Sequence, residues 1–173
     1  IKHLRGDLET TAICGNVETR LAKVEQGQVD AVILARAGLE RLGLTDKISF
    51  SFDPLYFIPA PAQGALAVQT RIDDAETTEI VSSINHPTTL LTVSAERTVL
   101  TRLHPGCHAP VGVFAKINRS DIMITAFVAV IEGKVFLRRE IKGPVAESER
   151  LADKLANELI KDGAADILGP LRK

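Results

Sequence analysis

The sequence predicts an α/β chain in two unlike parts: a partial lobe with a parallel or mixed sheet, then a small α+β domain in which helices cover a three-stranded antiparallel sheet. Three observations predict it. Short apolar, β-leaning runs alternate with helical periods in the first part, a stretch rich in proline and aromatics interrupts the chain after residue 50, and three alternating runs lie between two amphipathic helical patterns in the second part.

In the first part, Glu9 to Ile13 reads as a strand, Gly15-Asn16 as a turn with Asn16 as N-cap, and Val17, Leu21 and Val24 recur at helical spacing up to Gly27. Val29 to Leu34 is short, apolar and β-branched, as a strand covered on both faces should be, and it feeds a helical stretch from Gly38 to Leu42. This β-α-β-α order requires a parallel sheet, which two strands cannot close, so further strands are expected from elsewhere. Phe50 to Gly64 holds three prolines and no helical period, an extended connection that changes direction. Ala65 to Gln69 follows as a further strand candidate, then a helix from Asp74 to Ile84 with Ile80, Val81 and Ile84 inward, halted by His86-Pro87.

The second part opens with a helix from Thr88 to Leu103 whose inner stripe is Leu90, Leu91, Val93, Val99 and Leu100, with Glu96, Arg97 and Arg102 facing out or bridging. Strands are expected at Val111 to Ile117, Ile122 to Ile131 and Val135 to Ile141, the last two joined by the turn Glu132-Gly133-Lys134. A closing helix, Ala146 to Asp162, ends at Gly163 and presents Leu151, Leu155 and Leu159 to the sheet.

Composition narrows the function classes. With 173 residues, 45% hydrophobic and 25% charged, the chain is globular rather than disordered, and 21 basic against 22 acidic side chains give no broad pull towards nucleic acid or an anionic membrane. Two cysteines make no disulfide framework, and no apolar run reaches the roughly 20 residues that span a bilayer, so a reducing cytoplasm is expected. The first residue is Ile1 and the only methionine is Met123, which points to a piece of a longer protein.

Cys107 is the sharpest chemical candidate. A free cysteine ordinarily packs as a small hydrophobe, but this one sits in Pro105-Gly106-Cys107-His108-Ala109-Pro110, a setting that holds a loop open and can present sulfur to a cleft. His104 and His108 with one cysteine are poorly spaced for zinc, so no metal is expected. Arg20, Arg36 and Arg41 lie on or before helices that follow strand candidates, near the sheet edge where open α/β folds bind ligands; guanidinium forks there suit carboxylates, and pairing with Glu18 or Glu40 is the competing use for them.

Several blocks in order then carry a resemblance over nearly the whole chain: Gly-Asn-Val-Glu-Thr-Arg-Leu (15–21), Asp-Ala-Val-Ile-Leu-Ala-Arg-Ala-Gly-Leu-Glu-Arg-Leu-Gly-Leu (30–44), Pro-Ala-Gln-Gly-Ala-Leu-Ala (61–67), Ala-Glu-Arg (95–97) and Gly-Cys-His-Ala-Pro-Val-Gly (106–112). The chain resembles the porphobilinogen deaminases, also called hydroxymethylbilane synthases. The resemblance implies two domains like the lobes of type 2 periplasmic binding proteins and a small third domain with a cysteine loop. It maps residues 1–58 to the second half of domain two, 59–64 to a hinge containing Gln63 and Gly64, 65–86 to a segment returning to domain one, and 87–173 to domain three.

The implied activity is a transferase of porphyrin (heme) biosynthesis that condenses porphobilinogen molecules head to tail, each losing ammonia, to hydroxymethylbilane. The implied cofactor is a dipyrromethane primer held by a thioether to Cys107, with Arg20 and Arg41 gripping pyrrole carboxylates. A soft thiolate suits capture of the electrophilic methylene left by ammonia loss. The implied partners are porphobilinogen, the growing polypyrrole and the protein's own domain one, in a cytoplasmic monomer with no nucleic acid and no membrane. The family's catalytic aspartate belongs to domain one, so no catalytic residue is assigned in this chain, which alone is expected to be inactive.

Two positions depart from the family pattern. Cys14 stands where the family has arginine, and a thiol cannot supply the fork. Pro105 stands where the loop usually has glycine, stiffening it. Cys14 motivates an alternative, a non-catalytic carboxylate-binding module of the same fold. A thiol pair of Cys14 and Cys107 is a third reading, disfavoured by their placement in different predicted domains.

Overall fold

The computed structural model describes residues 1–104, 109–130 and 136–171. The chain divides into two compact units, Ile1–Asp53 and Pro54–Lys173.

The first unit is built on two short helices. α1 (Val17–Glu25) starts where Asn16 accepts the Thr19 N–H at 2.8 Å, the expected N-cap, and Gly27 follows it with φ 67. α2 (Arg36–Arg41) has no side-chain cap and buries Leu39. The two meet where Gly38 faces Val17: a Cβ added to Gly38 would lie 3.9 Å from Val17 Cγ2. Lys47 Nζ reaches Glu25 at 3.0 Å and ties the short turn after α2 to the end of α1.

The strands expected at 9–13 and 29–34 are not formed here, and neither is the one at 65–69 in the second unit; all three run without a ladder. Their apolar pattern is real, but a strand also needs a neighbour to take its N–H and C=O groups, and no described segment pairs with them in a ladder. The apolar side chains stay wet as a result: Ile33, Leu66 and Val68 are all exposed.

The second unit carries the core. α3 (Ala75–Ser82) begins at Asp74, whose carboxylate accepts the Thr77 N–H at 3.0 Å, but Ile80 and Ile84 are exposed rather than inward. α4 (Pro87–Leu103) starts one residue before the expected point, with proline at its first position and the His86 ring capping Thr89. Its inner stripe is Ala95, Val99 and Leu103, all in its later turns; Leu90 and Leu91 are exposed.

The three strands β1 (Val111–Asn118), β2 (Asp121–Ala129) and β3 (Phe136–Pro144) form an antiparallel meander in the order β1-β2-β3. Arg119-Ser120 joins the first two, with Arg119 at φ 57. The turn expected at 132–134 lies outside the described residues. Because side chains alternate, Val111, Val113 and Ala115 share a face with Ile122, Ile124, Ala126 and Val128, and that face is buried under α4 and α5.

α5 (Ser148–Leu159) supplies Leu151, Leu155 and Leu159, as its period predicts; Leu151 Cδ1 would stand 3.0 Å from a Cβ on Gly143, so helix and β3 close together there. The expected stop at Gly163 appears as a left-handed residue (φ 101) in a π-helical turn, after which α6 (Ala165–Leu168) buries Leu168. Each such aliphatic side chain contributes roughly 1.5–3 kcal/mol on burial. No helix among the described residues is long and apolar enough to cross a membrane.

Candidate functional site

The arginines singled out in the sequence separate into used and unused forks. Arg36 Nε is spent on Glu40 at 2.6 Å, one helical turn away. Arg20 folds back over the start of α1, where Nε donates to the Gly15 carbonyl at 2.8 Å, and its two Nη groups have no partner among the described residues. Gly15 makes this approach possible: it has φ 116, and a Cβ there would collide with Thr19 Cγ2 at 2.8 Å. Arg41 is exposed at the end of α2 and has no carboxylate partner among the described residues. Arg20 and Arg41 each lie three residues beyond the Val17/Gly38 contact, so each sits one turn on along the helix face that makes it.

The Gly15 carbonyl and the neighbouring Cys14 carbonyl both accept from cations, the latter from Lys23 Nζ at 3.4 Å. The thiol of Cys14 is exposed. Cys107 and His108 lie outside the described residues; His104, just before them, closes α4 in a left-handed conformation at φ 44. Among the described residues, no group of three or more His, Cys, Asp or Glu side chains could hold a metal ion.

A second cluster joins blocks the sequence left separate. Glu96, expected to face out or bridge, bridges inward: it is 6% exposed, and its carboxylate accepts the Ala62 N–H at 2.7 Å and the Ala115 N–H at 2.8 Å. Burial pushes its carboxyl above the ordinary value of 4.5, and the two N–H donors, from Ala115 and then Ala62, pull the other way.

Around it the 54–65 connection is fastened to the sheet. Arg138 Nη2 donates to the Leu55 carbonyl at 2.9 Å, and the Val113 N–H donates to the Pro59 carbonyl at 3.1 Å. Ala62 takes φ 61 and Gly64 φ 85, which turns the chain beside a cavity of about 190 Å³ lined by Gln63, Thr89, Thr92, Glu96 and Phe114. The sequence signals for this cluster are the Ala-Glu-Arg and Pro-Ala-Gln-Gly blocks; what they do not carry is which helix position turns inward.

Comparison with known proteins matches both units to one family. Residues 1–79 match the model "Porphobilinogen deaminase, dipyromethane cofactor binding domain", and residues 90–161 match "Porphobilinogen deaminase, C-terminal domain". The porphobilinogen deaminase of Corynebacterium diphtheriae is 48% identical over 169 residues, which are 98% of this chain and 58% of that protein. Those of Geotalea daltonii and Pelobacter propionicus are 43% and 42% identical, over 95% and 96% of this chain and 52% and 54% of their own lengths. The chain therefore spans a little over half the length of these curated relatives. Two different domains of one family, matched in order along a single chain, leave one assignment: the chain belongs to the porphobilinogen deaminase family.

Proposed function

We propose that the protein to which this chain belongs is a hydroxymethylbilane synthase, which condenses porphobilinogen with loss of ammonia into the linear tetrapyrrole hydroxymethylbilane. The observation that carries this is the match of both domain models in order, together with 48% identity over nearly the whole chain to a porphobilinogen deaminase. Residues 1–58 and 65–86 would belong to lobes of the type 2 periplasmic-binding kind, with 59–64 as the hinge and 87–173 as domain three. The exposed apolar side chains of the unpaired stretches Val29 to Leu34 and Ala65 to Gln69 support this, since a completed sheet would cover them.

The donor set fits a dipyrromethane. Arg5, Arg36, Arg71, Arg102, Arg139 and Arg150 each pair with a carboxylate of the chain itself. Among the described residues Arg20 and Arg41 do not, nor do Arg97, Arg119 and Arg138; it is the first two that the family resemblance places at the cofactor, where a pyrrole carrying acetate and propionate arms offers what their forks lack. When bound, the primer supplies the pyrrole end on which the next unit is added. Cys107 would hold it through a thioether, and Arg20 and Arg41 would orient its carboxylates; a guanidinium that no carboxylate of the chain has neutralised keeps its attraction for an anion. Catalysis would need the family aspartate of domain one, and the whole enzyme would act as a cytoplasmic monomer.

Supplying the full-length protein with porphobilinogen tests this. Hydroxymethylbilane formation is expected, with one ammonia released per porphobilinogen. A second reading, a non-catalytic carboxylate-binding module, rests on Cys14, an exposed thiol where the family carries a fork; absence of turnover with retained binding of porphobilinogen would favour it.

A further inference from the structure

The sequence blocks at 61–67, 95–97 and 106–112 are far apart in the chain, and their roles in the proposed synthase are uneven: the first shapes a crossover, the last carries the cysteine, and the middle one has none. The structure brings the first two together at one carboxylate, which also holds β1, the strand that follows the third. Glu96 is buried on α4 and accepts one N–H from the crossover, Ala62 at 2.7 Å, and one from β1, Ala115 at 2.8 Å. The two anchored segments also touch directly. Val113 donates to the Pro59 carbonyl at 3.1 Å, and a Cβ on Gly112 would be 2.9 Å from the Ile58 carbonyl.

A buried carboxylate with both oxygens engaged by backbone N–H groups is a strong tie, because charge-assisted bonds are roughly twice as strong as neutral ones. It is also a costly one, since the charge has left water, so a plain packing role would be served better by an apolar side chain. What a carboxylate adds is direction: it fixes two backbone segments in register with one helix. β1 begins at Val111, four residues after Cys107 in the sequence.

We propose that Glu96 is a positioning residue, tying the crossover at Ala62 and the strand that follows the primer cysteine to one turn of α4 so that the two keep a fixed relation. This rests on the synthase reading for its kinetic consequence, though not for the tie itself.

The test uses the full-length protein as wild type, E96Q, E96A and L168A, the last a core variant on α6 that makes no part of the tie. Hydrogen–deuterium exchange is followed in peptides spanning 59–65 and 111–116, and kcat and KM for porphobilinogen are measured. In E96A, exchange in both peptides is expected to quicken by about tenfold or more, with E96Q intermediate because one acceptor oxygen remains. The same variants are expected to lower kcat by about tenfold with KM within about twofold, whereas L168A leaves kcat near wild type.

Unchanged exchange at either peptide in E96A overturns the tie. A kcat loss in L168A equal to that in E96A overturns the positioning role and reduces Glu96 to general stability. An inert wild-type protein overturns the synthase reading and the kinetic half of this one, while the exchange data still decide the tie.

Discussion

Phe127 rests against Gly112 so closely that a Cβ on the glycine would stand 2.1 Å from Phe127 Cε1. The two are cross-strand partners, and the Ile58 carbonyl of the crossover closes the same space at 2.9 Å. Phe127 stacks in turn on Phe136, with ring centroids 5.5 Å apart. Gly112 is therefore required by what covers it. Gly112→Ala is expected to destabilise the protein by at least ~2 kcal/mol, since neither a strand neighbour nor a backbone carbonyl can give way cheaply. Denaturant midpoints check this; a loss below ~0.5 kcal/mol would contradict the packing described.

Glu96 sets a pH dependence whose sign follows from its environment. Its carboxyl is raised, chiefly by burial, so the stability tied to its neutral form is fully present below the ordinary 4.5 and is lost as the pH rises through the raised value. Asp74, lowered by the Thr77 N–H and hydroxyl, and Asp162, lowered by Arg139, act oppositely: their contribution is present above 3.8 and is lost as the pH falls through their lowered values. In E96Q the first component is absent. The stability of E96Q relative to wild type should rise between pH 4 and 7 in chemical denaturation, and parallel curves would show that Glu96 does not titrate in that range.

The arginines make a matched pair of tests in the full-length protein. Arg41→Lys removes a fork that the chain leaves without a carboxylate, and is expected to lower kcat/KM for porphobilinogen about 10- to 100-fold. Arg36→Ala removes a fork already spent on Glu40 and should change kcat/KM less than about threefold. Equal effects from the two would remove the distinction on which the carboxylate assignment rests.

Burial makes a similar contrast. Leu155 is fully buried between α5 and the sheet, and Leu155→Ala should cost about 2–5 kcal/mol. Leu66 is 75% exposed here; if 65–86 returns to a first domain, Leu66→Ala should still cost at least ~1 kcal/mol in the full-length protein, because the missing strands would cover it. Thermal unfolding of that variant within error of wild type would count against the lobe assignment.

The second unit was legible in the sequence, and the first was much less so. Alternation fixed which faces of β1 and β2 are apolar, and a meander's partners are its own sequence neighbours, so pattern and pairing agree. Asn16, Asp74 and Gly163 act locally, through their own hydrogen bonds and dihedrals, and so they could be read one residue at a time. Val29 to Leu34 and Ala65 to Gln69 have the composition of buried parallel strands, yet composition does not name the neighbour that would complete the ladder. Leu90 and Leu91 continue the helical period of α4, but both are exposed, and the period alone does not say which turns of the helix are covered. Glu96 was the least legible: a glutamate on an amphipathic helix ordinarily faces water, and only the arrival of two distant N–H groups gives it reason to turn inward. Cys107, read from its loop chemistry, lies outside the described residues.

The most direct test of the account is the intact mass of the full-length protein beside its Cys107→Ser variant. The wild-type protein is expected to be heavier than its polypeptide by two linked pyrrole units, and this added mass to be absent from Cys107→Ser. A wild-type protein that turns over porphobilinogen with Cys107 unmodified would contradict it.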